Sequence, residues 1–140
     1  MKKLITMIVV ASAIAAGHQI FSSFTAPLFA ETIRSDTIYM IDGDTAEIGG
    51  KRYRLVGYDT PETYQAKCDF ERAWGNQAAA RARQLMTEAE AVELIVLPGV
   101  DRYGRGLARM FIGNQDIGDI LIAENLARPY DGGQRAGWCR

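Results

Sequence analysis

"TAEIGGKRYRLVGYDTPE", Thr45 to Glu62, is the stretch that decides the fold. Thr45 to Ile48 reads as a strand, Gly49-Gly50 as a two-residue hairpin turn, and Lys51 to Tyr58 as the return strand. Period two puts Arg52, Arg54 and Val56 on one face of that return strand and Tyr53 and Leu55 on the other. The pattern breaks at Pro61, with Asp59 and Glu62 flanking the break. Two ionised carboxylates about 5 Å apart repel by roughly 3 kcal/mol at an effective dielectric near 20. A cation, an arginine or solvent has to offset that.

Upstream of the hairpin, Asp36 to Ile41 alternates weakly as a further strand. Downstream the period changes. Trp74, Ala78, Ala82, Leu85 and Met86 recur at helical steps, which predicts an amphipathic helix from Asp69 to about Ala89 with that stripe inward. Ala91 to Gly99 reads as a strand ended by Pro98-Gly99, and Gly104 to Ile112 as another, followed by a Gly113-Asn114 turn. Asp116 is placed to N-cap a second helix reaching Asn125, with Ile117, Ile120 and Leu121 inward. The order predicts a mainly β fold with helices. It is that of a five-stranded Greek-key β-barrel of the OB type, with a helix between strands 3 and 4 and a C-terminal helix.

The chain has 140 residues, enough for one domain. Lys2 and Lys3 precede the apolar run Leu4 to Gly17, a charged region and core of signal-peptide length. The run is shorter than the ~20 residues that span a bilayer. The expected division is therefore a leader over 1–30 and a domain over 31–140, exported to a periplasm or secreted. A retained membrane anchor is the alternative. Loss of Lys2 and Lys3 takes the formal net charge from -1 to -3. A mildly acidic domain lacks a broad basic footprint, so a polyanion would need a local arginine groove or a bound cation. The two cysteines, Cys68 and Cys139, read as a disulfide in an exported chain, with two free thiols as the alternative.

The only histidine is His18, inside the leader. That excludes histidine-based nucleophilic and phosphoryl-transfer chemistry and the usual zinc sites from the domain. Proton transfer falls to carboxylate, tyrosine, lysine or water. Three clusters stand at strand ends: "IDGDT" (Ile41 to Thr45), "DTPE" (Asp59 to Glu62) and "DRYGRG" (Asp101 to Gly106). Alone, each is an ordinary turn. Together, Asp44 and Asp59 with a backbone carbonyl suit a hard cation such as Ca²⁺ or Mg²⁺. Pro61 restricts Thr60 to extended geometry and so helps aim its carbonyl. Glu62 stands just beyond, placed to take a proton from water. Arg54 and Arg105 supply forked donors that match phosphate oxygens. A cation, a carboxylate base and two guanidiniums are the parts that phosphodiester hydrolysis needs.

"IDGDT", "RLVGYDTPE" and "DRYGRGLA", in that order and spacing, resemble the staphylococcal nuclease (thermonuclease) family from about Thr37 to Tyr130. The resemblance implies an OB-fold, Ca²⁺-dependent nuclease that cuts DNA and RNA with little sequence preference and leaves 3′-phosphorylated products. It implies Asp44, Asp59 and the Thr60 carbonyl as metal ligands, with Asp42 a nearby acid. Glu62 corresponds to the general base, Arg54 and Arg105 to the phosphate-stabilising pair, and Arg102, Tyr103 and Tyr130 to nucleotide contacts. The expected partners are DNA and RNA, single strands favoured, bound by a monomer. One departure is the loop "TYQAKCDFERAW" (Thr63 to Trp74), with a single lysine where the family's best-known member is lysine-rich. It predicts lower substrate affinity, or greater dependence on Ca²⁺ and low salt. Another is "DGGQRAGWCR" (Asp131 to Arg140) in place of a long helix, a stretch that a Cys68–Cys139 bond would stabilise. Two other readings compete. A non-catalytic OB module would stack single-strand bases on Tyr53, Tyr58, Tyr103 and Tyr130 but has no need of Glu62. A calcium-stabilised structural domain would explain the acids but not Arg54 and Arg105.

Overall fold

Gly49 and Gly50 both have positive φ, 57° and 77°, the pair of values that a two-residue turn between twisted strands requires. They join β3 (Thr45–Ile48) to β4 (Lys51–Leu55) in antiparallel register, with Ile48 opposite Lys51. The computed structural model describes residues 30–140. Apart from Ala30, the expected leader, its cleavage and any anchor lie outside the described residues.

β1 (Ala30–Arg34) and β2 (Ile38–Met40) precede the hairpin, and β5 (Gly57–Asp59) follows it. Then come α1 (Asp69–Glu88), β6 (Ala91–Val100), β7 (Gly106–Ile112), β8 (Gln115–Asp116), α2 (Ile117–Ala123) and β9 (Arg128–Tyr130). The main sheet runs β1-β6-β7-β4-β3-β2, β8 pairs with β7, and β5 pairs with β9 apart from it. β4 and β7 are parallel, so the early three-stranded unit and the later β6–β7 hairpin become one curled sheet. The mainly β, two-helix fold of OB type is the expected one.

The strand count differs from five, for local reasons. All five expected positions carry strands, and β1, β8 and β9 are added. The return strand divides at Val56, whose N–H bonds the Ala108 carbonyl at 3.0 Å. Gly57, at φ 96°, then turns the chain out of the main sheet towards β9. Pro98-Gly99 does not end its strand. Pro98 has no N–H for the ladder, and the register shifts between Leu97 and Val100 as a bulge.

Both helices lie where the periodicity puts them. Cys68 caps α1, its Sγ accepting from the Glu71 N–H at 3.4 Å. Asp116 caps α2 through the Gly118 N–H at 2.7 Å. α2 stops at Ala123, and Asn125 beyond it has φ 58°, a left-handed residue of the kind that ends helices. Met40, Ala46, Leu55, Val92, Leu94, Ala108 and Met110 fill the concave side of the sheet against Ala82, Leu85 and Met86 of α1 and Ile117 and Leu121 of α2. Trp74 leaves the expected inward stripe. Its indole N–H needs a partner, and it reaches the Asn125 carbonyl at 2.9 Å from a half-buried position.

Cys68 and Cys139 are bonded, across a sequence separation of 71. A loop of that length corresponds to at most about 4 kcal/mol in the chain-entropy account. Among the described residues, no helix is long and apolar enough to cross a membrane.

Candidate functional site

Antiparallel register sets Arg54 of β4 opposite Thr45 of β3, next to Asp44. The Arg54 side chain is buried. Its Nη1 lies 3.2 Å from Asp44 Oδ2 and its Nη2 lies 3.8 Å from Asp59 Oδ1. The same guanidinium donates to the carbonyls of Asp44 at 3.2 Å, Leu55 at 2.5 Å and Tyr58 at 2.9 Å. A buried guanidinium without partners would be strongly destabilising, and these three bonds engage both ends of its fork. Arg54 is thus a fixed positive charge between the two acids, with its fork engaged inward.

Asp44 is buried too. Its Oδ2 accepts from the Thr60 N–H at 3.0 Å and its Oδ1 from the Thr45 hydroxyl at 3.3 Å. Burial pushes its carboxyl up to about 6, against the opposing pull of Arg54 and with a further push from Asp42. The unfolded chain ionises this group at its ordinary, lower value. Its contribution to stability is therefore full below about pH 4 and is lost as pH rises through about 6. At neutral pH the ionised Asp44 carries a net cost of burial that the pull of Arg54 offsets only in part.

Asp59 is the most buried acid of the set, 1% exposed. Its Oδ2 accepts from Arg128 Nη2 at 2.9 Å and Trp138 Nε1 at 3.1 Å. Its Oδ1 lies 3.1 Å from Arg135 Nε yet makes no hydrogen bond. A buried carboxylate oxygen without a donor is uncommon and is the kind of atom a hard cation would use. Glu62 is half-exposed, and its Oε1 accepts from Arg135 Nη1 at 2.6 Å. Asp44, Asp59 and Glu62 do not close as three carboxylates within 4.8 Å of one another. The fit is therefore to two buried carboxylates and a carbonyl, with Glu62 to one side.

Arg105 enters from the β6–β7 turn. Its Nε bonds Asp101 Oδ2 at 2.7 Å and its Nη1 bonds Thr45 Oγ1 at 3.1 Å. A continuous polar chain thus runs from Asp101 through Arg105 and Thr45 to Asp44. Asp42 accepts from the Asp44 N–H at 3.1 Å and shapes that loop. Arg102 and Tyr103 stand exposed on the turn, the Tyr103 ring flanked by the guanidiniums of Arg102 at 4.8 Å and Arg105 at 5.4 Å. Tyr130 is half-buried, its hydroxyl donating to the Gly133 carbonyl at 2.7 Å. Tyr58, offered above as a base-stacking residue, is 1% exposed, and its hydroxyl donates to the Gly43 carbonyl at 2.9 Å. It fastens the "IDGDT" loop and has no face to offer a base.

Several supporting residues carry no motif. Arg83 of α1 donates to the carbonyls of Met40 and Ile41, each at 2.8 Å, where that loop begins. Buried Glu71 accepts from the Lys67 N–H at 2.7 Å and the Glu62 N–H at 3.5 Å. Arg128, Arg135 and Trp138 converge on Asp59 from far along the sequence. A signal for them existed: Cys68 is six positions from Glu62, so a Cys68–Cys139 bond brings Arg135 and Trp138 near the acids. Among the described residues, one close group of three metal-binding side chains is Cys68, Glu71 and Cys139, but its sulfurs are joined to each other and offer no thiolate. A cleft of about 710 Å³ between β2 and α1, lined by Tyr39, Arg83 and Glu90, includes none of the site acids.

Gly75 of α1 sets the position of the turn. A Cβ there would lie 2.6 Å from the Glu62 carbonyl oxygen and 2.7 Å from that of Pro61. Gly75→Ala is expected to destabilise the protein by about 1–3 kcal/mol through overpacking and to shift Glu62. Urea denaturation checks the first effect. Unchanged stability would mean that the helix gives way freely.

The family model described as "Staphylococcal nuclease homologue" matches residues 52–136. The chain is 33% identical over 95 residues to a protein named Thermonuclease from Staphylococcus hyicus, covering 65% of this chain and 56% of that one. It is 32% identical over 93 residues to Thermonuclease from Staphylococcus intermedius, covering 64% and 55% respectively. It is 34% identical over 95 residues to Endonuclease YncB from Bacillus subtilis (strain 168), covering 63% of this chain and 44% of that one. The chain spans about half the length of the curated relatives it matches.

Proposed function

Because the chain belongs to the staphylococcal nuclease family, we propose that it is a metal-dependent nuclease that hydrolyses phosphodiester bonds of DNA and RNA. The observation that carries this reading is the convergence of buried Asp44 and Asp59 on one fixed guanidinium, with Asp59 Oδ1 making no hydrogen bond. Asp44, Asp59 and the Thr60 carbonyl would hold Ca²⁺. Bound there, the ion supplies Lewis-acid stabilisation of charge developing on the phosphate.

In this reading Glu62 takes the proton of the attacking water. Arg105 presents its outer guanidinium edge to the phosphate while Asp101 and Thr45 hold its orientation. Arg54 contributes through its charge, since its donors are engaged with protein carbonyls. Attack on phosphorus breaks the bond to the 5′ oxygen and leaves the phosphate on the 3′ side. The exposed Tyr103, Arg102 beside it and the half-buried Tyr130 contact the nucleotide, a single strand being easier to stack than a duplex. The domain acts as a monomer. The apolar run Leu4 to Gly17 and the Cys68–Cys139 bond both support export to a periplasm or the medium.

The test incubates the purified protein with single-stranded DNA and RNA in Ca²⁺ or in chelator. Expected is cleavage to 3′-phosphate ends in Ca²⁺ and intact substrate in chelator. Oligonucleotides bound but uncut in Ca²⁺ would replace the enzyme with a binding module.

A further inference from the structure

The segment after β9, residues 131–140, has no helix or strand of its own. It is held by side chains and one covalent bond. Arg128 donates to the carbonyls of Ala136 and Gly137, Trp138 Nε1 reaches Asp59 at 3.1 Å, and Cys139 is bonded to Cys68. These contacts lay the segment across the acids as a strap, and its Arg135 lands between them. Arg135 Nε is 3.1 Å from Asp59 Oδ1 and its Nη1 is 2.6 Å from Glu62 Oε1. A guanidinium in that place offsets the repulsion between the two carboxylates. It also lies against the one Asp59 oxygen that makes no hydrogen bond.

We propose that Arg135 is an internal counter-ion of Asp59 and Glu62, which a divalent cation must displace to bind. Cation affinity is then set partly by a residue outside the ligand set. The inference rests on the reading of Asp59 as a cation ligand. Three physical points carry it. A guanidinium and a divalent cation repel, so they do not share one carboxylate oxygen at contact distance. The Arg135 and Glu62 side chains are 35% and 39% exposed, and an ion pair of that exposure is weak enough to exchange; on the 1%-exposed Asp59, Arg135 faces Oδ1 without a hydrogen bond to hold it. The return of Arg135 is intramolecular, at an effective concentration on the order of millimolar, and the Cys68–Cys139 bond four residues beyond it shortens the tether. A site occupied by its own strap nine-tenths of the time binds the ion about tenfold more weakly than an open one. Glu62 is subject to the same competition, since an oxygen accepting from Arg135 is not free to take a proton from water.

The experiment is calorimetric titration of Ca²⁺ into the unmodified protein, Arg135→Gln, Cys68→Ser/Cys139→Ser and Asp44→Asn, without substrate. Glutamine keeps the length of the side chain and removes its charge, and a serine at position 68 still caps α1. Arg135→Gln is expected to bind Ca²⁺ about tenfold more tightly, and the serine pair to shift in the same direction by less. Equal or weaker binding by Arg135→Gln, with Asp44→Asn impaired, overturns this inference and leaves the metal site standing. No Ca²⁺ binding by either the unmodified protein or Arg135→Gln overturns both. Tighter binding by Arg135→Gln with no change in the serine pair overturns the part assigned to the tether.

Discussion

Replacing Glu62 by glutamine is expected to lower turnover by roughly 10²–10⁴-fold, the usual loss when a general base is removed, while Ca²⁺ binding persists. The separation follows from the geometry. Asp44 and Asp59 are buried and linked to Arg54, whereas Glu62 is half-exposed and linked only to the strap and to Glu71. Glutamine preserves the shape and the backbone bond to Glu71, so the turn after Pro61 stays in place. What disappears is the ability to hold a proton taken from water. Single-turnover cleavage of a labelled oligonucleotide at saturating Ca²⁺ measures the chemical step directly. Cleavage at the unmodified rate would assign the proton to another acceptor.

Arg105→Lys is the second large effect, expected at about 10²–10³-fold in kcat, the loss typical of one removed transition-state donor. Arg105 meets Asp101 through Nε and Thr45 through Nη1, and the proposed reaction asks its outer edge to meet the phosphate as a third demand. An ammonium is a single point and cannot meet all three. The side chain is partly exposed, so the fold tolerates the exchange. The signature is a melting temperature close to that of the unmodified protein with a collapsed kcat. A lysine variant within a few-fold of full activity would remove Arg105 from the reaction and leave it a brace for the β6–β7 turn.

The parts of the molecule legible in the sequence were those governed by local rules. The Gly49-Gly50 hairpin, the stripe of α1 and the Asp116 cap each need only a few neighbouring residues, and each formed in place. Strands β1 and β9 were missed because their stability comes from pairing partners distant in sequence, and β8 because two residues are too few to show a period. Pro98-Gly99 looked like a strand end because a missing N–H and a chain break read alike until the partner strand is known. In the site, the order of the three acidic and arginine clusters exposed the candidate residues but not their exposure. Nothing local distinguishes Arg54, buried with its fork turned inward, from the exposed Arg102. The ring of residues around Asp59 was least legible of all, because Arg128, Arg135 and Trp138 reach it only after β9 and the disulfide are in place.

That ring also fixes when the site can come into being. The partners of Asp59 lie 69 and 79 positions downstream at Arg128 and Trp138. As the polypeptide emerges vectorially from a ribosome or a translocation pore, the hairpin and α1 have their sequence long before those residues appear. Contacts so far apart form late because their closure entropy must be met first. The nascent domain therefore holds Asp59 with Arg54 beside it, but without its hydrogen-bond donors, until those downstream residues are delivered. Closure of the ring around Asp59 thus waits on the segment that carries Arg128 and Trp138.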